Sequence, residues 1–384
     1  MRLAEMIRRE DFYNILRDTV IEYFPLVHSR EIDFSYEKMN GERLIVNGKL
    51  GFISRFPAPS GLRKFLLAEY NIRSSKLKFL VGKAAALFFS TFPQVGKLKN
   101  VYITKGVLGR NVFISPQNRS IRFFDYDAMT VDCIIKSGFT SKYFANQLTF
   151  RKQYHYDFMI PLLDSGARWF REPILTGHPL ARVTDAKQYE KATQAALHDI
   201  ALLSVDTLAY EESTDYVLRL QAKILPLIEE AEQRKRISFG NETRQLVQGA
   251  IQMCLAHSMI IPLCMSHGDF QGGNIWVDKK GKTWLYDWET VGMRSIWYDS
   301  TVLLYSLRRV YGWKAFLAEK LPVSICACDP HKTRTEEEFE AIKAVILLED
   351  ILFYLEDMLE LPEDWGAQIY DDFARRMWEL LKVL

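Results

Sequence analysis

The spacing of apolar residues changes character twice along the chain. Residues 1–95 read as helix, then short strands at Ile32–Tyr36 and Arg43–Val46, then two helical stretches near 61–72 and 76–91; Phe56-Pro-Ala-Pro-Ser-Gly61 is punctuated as a loop. From about Leu98, β-branched and aromatic runs predict strands at Val101–Thr104, Val112–Ser115, Ile121–Tyr126 and Thr130–Lys136. A helical stretch from Ser141 to Phe158 and a strand-like run ending at Leu175 follow. Beyond Asp185 the helical period dominates and predicts helices at 186–204, 212–235, 241–258, 296–320, 336–360 and 366–383. A strand-rich island at 263–288 interrupts them. Strands first and helices later predict an α+β chain. The expected parts are an accessory region at 1–95, a β-rich small lobe at 96–178 and a helical large lobe at 179–384.

Composition narrows this picture. With 384 residues, 48% hydrophobic and 26% charged, the chain has material for a sizeable core, which excludes disorder and collagen. A net charge of +2 argues against a general nucleic-acid binder. Five cysteines are too few and scattered for a disulfide framework, and Cys326 and Cys328 have no second pair to complete a zinc site. The first residues lack the apolar run of a secretory signal. The longest apolar run, Phe79–Phe92, contains Lys83 and falls short of the ~20 residues of a membrane span. A cytoplasmic location is expected.

The chemistry lies in the island. Asp269 is followed five residues later by Asn274, and Asp287 comes thirteen residues after that. Between the last two, Ile275–Val277, a turn at Asp278-Lys-Lys-Gly281 and Thr283–Tyr286 predict a hairpin. A hairpin brings its ends together, so one amide oxygen and one carboxylate converge, a donor set that suits a hard divalent cation. Asp269 lies beside them, free to accept a proton from an attacking hydroxyl.

His267-Gly268-Asp269, Asn274 and Asp287-Trp288-Glu289 resemble the signature of the aminoglycoside phosphotransferase and choline kinase group within the protein-kinase-like superfamily. The resemblance implies a bilobal protein-kinase-like fold, ATP bound between the lobes, and transfer of its γ-phosphate to a hydroxyl. It implies Asp269 as catalytic base, Asn274 and Asp287 as ligands of Mg²⁺, His267 as a brace of the loop and Asp299 as a structural support. Residues 1–95 have no counterpart in the resemblance.

The small lobe should then clamp the nucleotide. Gly106 and Gly109, in the loop joining two strand-like runs, would let backbone N–H groups approach phosphates. Lys136 resembles the strand lysine that pairs with the α- and β-phosphates. Glu172–Leu175 resembles the hinge that faces the adenine, with Pro173 unable to donate. One departure stands out. No acid lies between Ser137 and Tyr156, and Gln147 occupies the place of the glutamate that normally orients the lysine. A pseudokinase or nucleotide-binding scaffold is therefore the competing reading, whereas a protein kinase lacks its Ala-Pro-Glu signature here.

Two charge blocks bear on the acceptor. Arg55–Arg110 holds eleven Lys/Arg against Glu69 alone, and Glu336–Phe373 holds thirteen acids against Lys343 alone. Glu349, Asp350, Glu356 and Asp357 share one side of a helix, which reads as a solvated face or as an acceptor wall suited to an aminoglycoside or choline-like cation. The basic block, interleaved with phenylalanine and leucine, could solvate an accessory domain or rest on the inner face of an anionic membrane. The membrane reading suits a cell-envelope polysaccharide or lipopolysaccharide acceptor.

Overall fold

The computed structural model describes residues 3–49, 51–56, 58–69, 76–92, 94–140, 142–234, 237, 240–319, 329 and 334–360. Its contacts divide it into two compact units, 1–193 with 275–286, and 194–274 with 287–384. The expected helix at 366–383, Cys326 and Cys328 lie outside the described residues.

The first unit opens with α1 (Leu3–Arg9) and α2 (Phe12–His28), followed by β1 (Phe34–Ser35), β2 (Glu42–Asn47) and β3 (Phe52–Arg55). Then come α3 (Ser60–Glu69), α4 (Lys76–Thr91), β4 (Lys97–Ile103), β5 (Val112–Pro116), β6 (Ser120–Asp125) and β7 (Thr130–Ile135). α5 (Lys142–Gln153), β8 (Asp164–Ser165), β9 (Trp169–Pro173) and β10 (Gly177–Pro179) complete its first stretch. Among the described residues nine strands form one sheet in the order β1-β4-β2-β3-β5-β6-β7-β9-β8.

The expected boundary at 95/96 is therefore not a break in the fold. β2 pairs with β4 and β3 with β5, so one sheet runs through residues on both sides of it. Alternation along the strands assigns the faces. Phe12, Leu16 and Val20 of α2 pack with Ile114, Ile121, Ile134 and Trp169 on one face. Phe144 and Leu148 of α5 pack with Cys133, Ile135 and Phe170 on the other. Tyr23 pins α2 further by donating to the buried Asp132 at 2.6 Å, which also takes Arg171 Nε at 2.6 Å.

The second unit contains most of α6 (Ala186–Asp206), with β11 (Ala209–Glu212), α7 (Ser213–Gln233), α8 (Gly240–Ala256) and β12 (Ile260–Ser266). The predicted hairpin, β13 (Ile275–Asp278) and β14 (Thr283–Leu285), belongs to the first unit, because β13 pairs with β10. The expected large lobe from 179 onward is corrected at that point. β15 (Gly292–Ser295) returns the chain to the second unit and pairs with β12. α9 (Tyr298–Tyr305), α10 (Val310–Ala318) and α11 (Glu336–Glu360) follow. Leu220, Ile224 and Ile228 of α7 and Val247 and Ile251 of α8 bury a stripe against Ile342, Val345 and Ile346 of α11. No described helix is long and apolar enough to cross a membrane.

Two expectations fail instructively. The single helix at 296–320 breaks at Ser306, whose φ of 55° is left-handed. Gly312 permits the break, since a Cβ there would lie 2.3 Å from Tyr305 O and 2.4 Å from Ser306 O. Two acids of α11 expected on a solvated face are also buried instead: Glu349 is 2% and Asp350 0% exposed. Glu349 Oε1 accepts from Tyr216 and Ser295 N, both at 2.5 Å, and Asp350 accepts from Tyr298 at 2.8 Å.

Candidate active site

The loop after β12 is held by one carboxylate. Asp299, in the first turn of α9, accepts from His267 N at 2.7 Å, Gly268 N at 3.0 Å and Ser266 Oγ at 2.9 Å. Gly268 has φ +83°, and a Cβ there would lie 2.3 Å from the backbone oxygen of Thr290. Only glycine fits so close a backbone approach. His267 is fully buried, with its ring centroid 4.5 Å from that of Trp288. These contacts leave Asp269 at the end of a fixed backbone.

The Asp269 carboxylate has three side-chain partners. Oδ1 accepts from Arg308 Nε at 2.8 Å, and Oδ2 accepts from Gln271 Nε2 and Asn274 Nδ2, each at 2.8 Å. Burial alone pushes this carboxyl up. The charge of Arg308 and hydrogen bonds from Arg308 and Gln271 outweigh burial and hold it below its ordinary value. Asn274 Nδ2 also donates to Asp269 O at 2.9 Å. Its nitrogen is thereby committed to Asp269, and its oxygen is the atom left for another ligand.

The hairpin forms where expected, with Ile275 opposite Leu285, so Asn274 and Asp287 flank its two ends. Asp287 adopts φ 69° and ψ 55°, a left-handed conformation that aspartate tolerates better than most residues. No cluster of three His, Cys, Asp or Glu able to hold a metal occurs among the described residues. The Asn274 oxygen and the Asp287 carboxylate nevertheless fit Mg²⁺, which accepts one or two protein oxygens and completes its shell with water and phosphate.

In the first unit the expected nucleotide residues fare differently. Lys136 continues the alternation of Asp132 and Ile134 and faces α1 and α2, not α5. Its ammonium donates to Glu10 Oε1 at 2.5 Å and Asn118 O at 3.1 Å, and both members of the ion pair are 1% exposed. The acid missing from α5 thus comes from the N-terminal segment, and the lysine is sealed rather than presented. Gln147 is buried on α5.

Gly106 and Gly109 do not sit in a hairpin, because β4 and β5 are separated in the sheet by β2 and β3. Gly106 serves the turn itself, with φ +77° and open space around a hypothetical Cβ. Glu172 directs its side chain to Arg151 of α5 at 3.0 Å, and both are buried. Leu175 lies half-buried between β9 and β10. Sequence reasoning missed Arg308 because it fell inside a predicted helix, although Gly312 signalled the interruption. It missed Glu10 because nothing local marks a partner 126 residues away.

The sequence profile of the phosphotransferase enzyme family (APH) matches residues 156–321, which include His267, Asp269, Asn274, Asp287, Asp299 and Arg308. No curated protein matches the chain. Among solved structures, a Plasmodium vivax ethanolamine kinase is similar at 13% identity and a TM-score of 0.48, over 82% of this chain and 90% of that one. A thermostable mutant of aminoglycoside phosphotransferase APH(4)-Ia is similar at 12% and 0.48, over 71% and 94%. A choline/ethanolamine kinase family protein from Mesorhizobium loti gives 14% and 0.40, over 71% and 88%. The resemblance read from residues 267–287 holds.

Proposed function

We propose that this chain, a phosphotransferase acting on a hydroxyl acceptor, moves the γ-phosphate of ATP to a small molecule, sugar or glycan, with Asp269 as the group that receives the hydroxyl proton. One observation carries the reading. A carboxylate offers about four acceptor positions; Arg308, Gln271 and Asn274 take three, and one remains on Asp269 Oδ1. That position suits a single hydroxyl. As the acceptor oxygen bonds to phosphorus and the bond to the ADP oxygen breaks, its proton passes to Oδ1. A carboxylate held ionised is a weak base, which a loose transition state tolerates because positioning and charge neutralisation dominate. The Asn274 oxygen and the Asp287 carboxylate would hold Mg²⁺, whose charge neutralises the nucleotide phosphates.

The acceptor reading shifts toward sugar or glycan hydroxyls, including those of envelope polysaccharides and lipopolysaccharides. Its support is that Glu349 and Asp350, two of the four acids that suggested a cationic acceptor, are occupied by Tyr216, Ser295, Tyr298 and Arg308. A membrane-adjacent location is supported by α4, which exposes Leu80, Val81, Leu87 and Phe88, with Phe92 just beyond it, in a stretch rich in lysine and arginine. The second reading, a nucleotide-binding scaffold, is favoured by the sealed Lys136. The experiment is Asp269→Ala in an ATP-consumption screen across sugars, glycan intermediates, amino alcohols and aminoglycosides. Transfer is lost while the thermal shift with ATP and Mg²⁺ persists. Unchanged turnover sinks the assignment, and a wild-type protein with neither transfer nor thermal shift sinks the enzyme reading.

A further inference from the structure

We infer that Arg308 is a positioning residue for Asp269, anchored by the buried Asp350 of α11; this rests on Asp269 being the proton acceptor. The guanidinium grips the loop at two neighbouring points, the Asp269 side chain and the carbonyl before it. Nε holds Asp269 Oδ1 at 2.8 Å, and Nη2 holds the preceding carbonyl, Gly268 O, at 2.7 Å. On the other side Nη1 meets Asp350 Oδ1 at 2.5 Å. Asp350 is itself fixed by Tyr298 at 2.8 Å and Trp313 Nε1 at 3.2 Å. The Phe353 ring lies 4.0 Å from the guanidinium carbon.

The arrangement is asymmetric in a way that matters. Gln271 and Asn274 hold Oδ2, whereas Arg308 is the side chain holding Oδ1, the oxygen with the open acceptor position. Without Arg308 the carboxylate keeps its Oδ2 partners but loses the contact that fixes Oδ1. A planar fork can bind side chain and backbone together, and a lysine ammonium cannot reproduce that geometry. A misplacement of about 1 Å at a reacting group costs on the order of 10²-fold in rate.

The test uses full-length protein, ATP with Mg²⁺, and water as the probe acceptor, with released phosphate as the readout. Arg308→Gln lowers kcat about 10²-fold while the KM for ATP changes less than about twofold, and Arg308→Lys fails to restore the rate. The double variant D269N/R308Q is no slower than D269N, because Arg308 acts through Asp269. Since Arg308→Gln removes the counter-charge of the buried Asp350, R308Q/D350N is measured alongside it as the folded control. Additive losses in D269N/R308Q, or wild-type kcat in a natively melting R308Q/D350N, overturn the inference. Full turnover by D269N defeats the reading of Asp269 instead. Independently of turnover, the Arg308 Nε–H resonance in ¹⁵N-arginine-labelled protein is exchange-protected and is lost in D269A; its persistence there also overturns the inference.

Discussion

Lys136 and Glu10 form an ion pair at 2.5 Å with both side chains 1% exposed, which makes removal of one partner unusually informative. Glu10→Ala removes the carboxylate that answers this sealed ammonium, which also meets Asn118 O, the sulfur of Met6 and the Phe139 ring. Breaking a buried pair costs about 3–5 kcal/mol, because the surviving charge stays desolvated. At roughly 2–4 °C per kcal/mol for domains of 150–250 residues, the melting temperature falls by about 6–20 °C. Replacing both members by apolar residues of similar volume, Glu10→Leu with Lys136→Met, removes the charge along with its partner and restores most of that loss. Differential scanning calorimetry reads the stabilities, and a thermal shift with ATP and Mg²⁺ reads nucleotide binding. The double variant melts near wild type and keeps its nucleotide shift. A Glu10→Ala protein that melts like wild type refutes the burial argument. A stable double variant without the nucleotide shift refutes the claim that Lys136 is structural and returns it to the phosphates.

Two other tests address different parts of the molecule. Burial pushes the Glu349 carboxyl up from 4.5 to about 6, against opposing hydrogen bonds from Tyr216 and Ser295. Such a group stabilises fully below pH 4.5 and loses about 2 kcal/mol as pH rises through about 6. Glu349→Gln should match wild type at pH 4 and melt several degrees higher at pH 8, and an equal or lower melting point at pH 8 contradicts it. For α4, wild-type protein should sediment with anionic vesicles and not with zwitterionic ones, and Leu87→Ser with Phe88→Ser should weaken that binding; equal binding by the variant removes the membrane reading.

The sequence revealed what is local. Long amphipathic helices such as α7 and α8 were legible because their apolar stripes repeat with the helical period. The hairpin of β13 and β14 was legible because Asp278 and Gly281 mark its turn, where Asp278 Oδ1 takes Lys280 N at 2.8 Å and Gly281 adopts φ +84°. The loop from His267 to Asn274 was legible from residue types and spacing. What stayed hidden was non-local. β3 is four residues long, and its place between β2 and β5 depends on partners no local pattern names. Glu349 and Asp350 looked solvated because charge is usually outside, yet Tyr216 of α7, Ser295 of β15 and Arg308 of the turn between α9 and α10 satisfy them.

The covering of the sheet by α1 and α2 also has a consequence for biosynthesis. Leu16 and Val20 belong to a cluster completed by Ile134 and Trp169, and Glu10 waits for a lysine 126 residues later. At roughly 5–20 residues per second of synthesis, about 6–25 s pass between the making of Glu10 and the making of that lysine. Until Ile134 and Trp169 follow, the apolar faces of α1 and α2 lack the residues that complete their cluster, so ribosome stalling before residue 136 should leave them sensitive to protease.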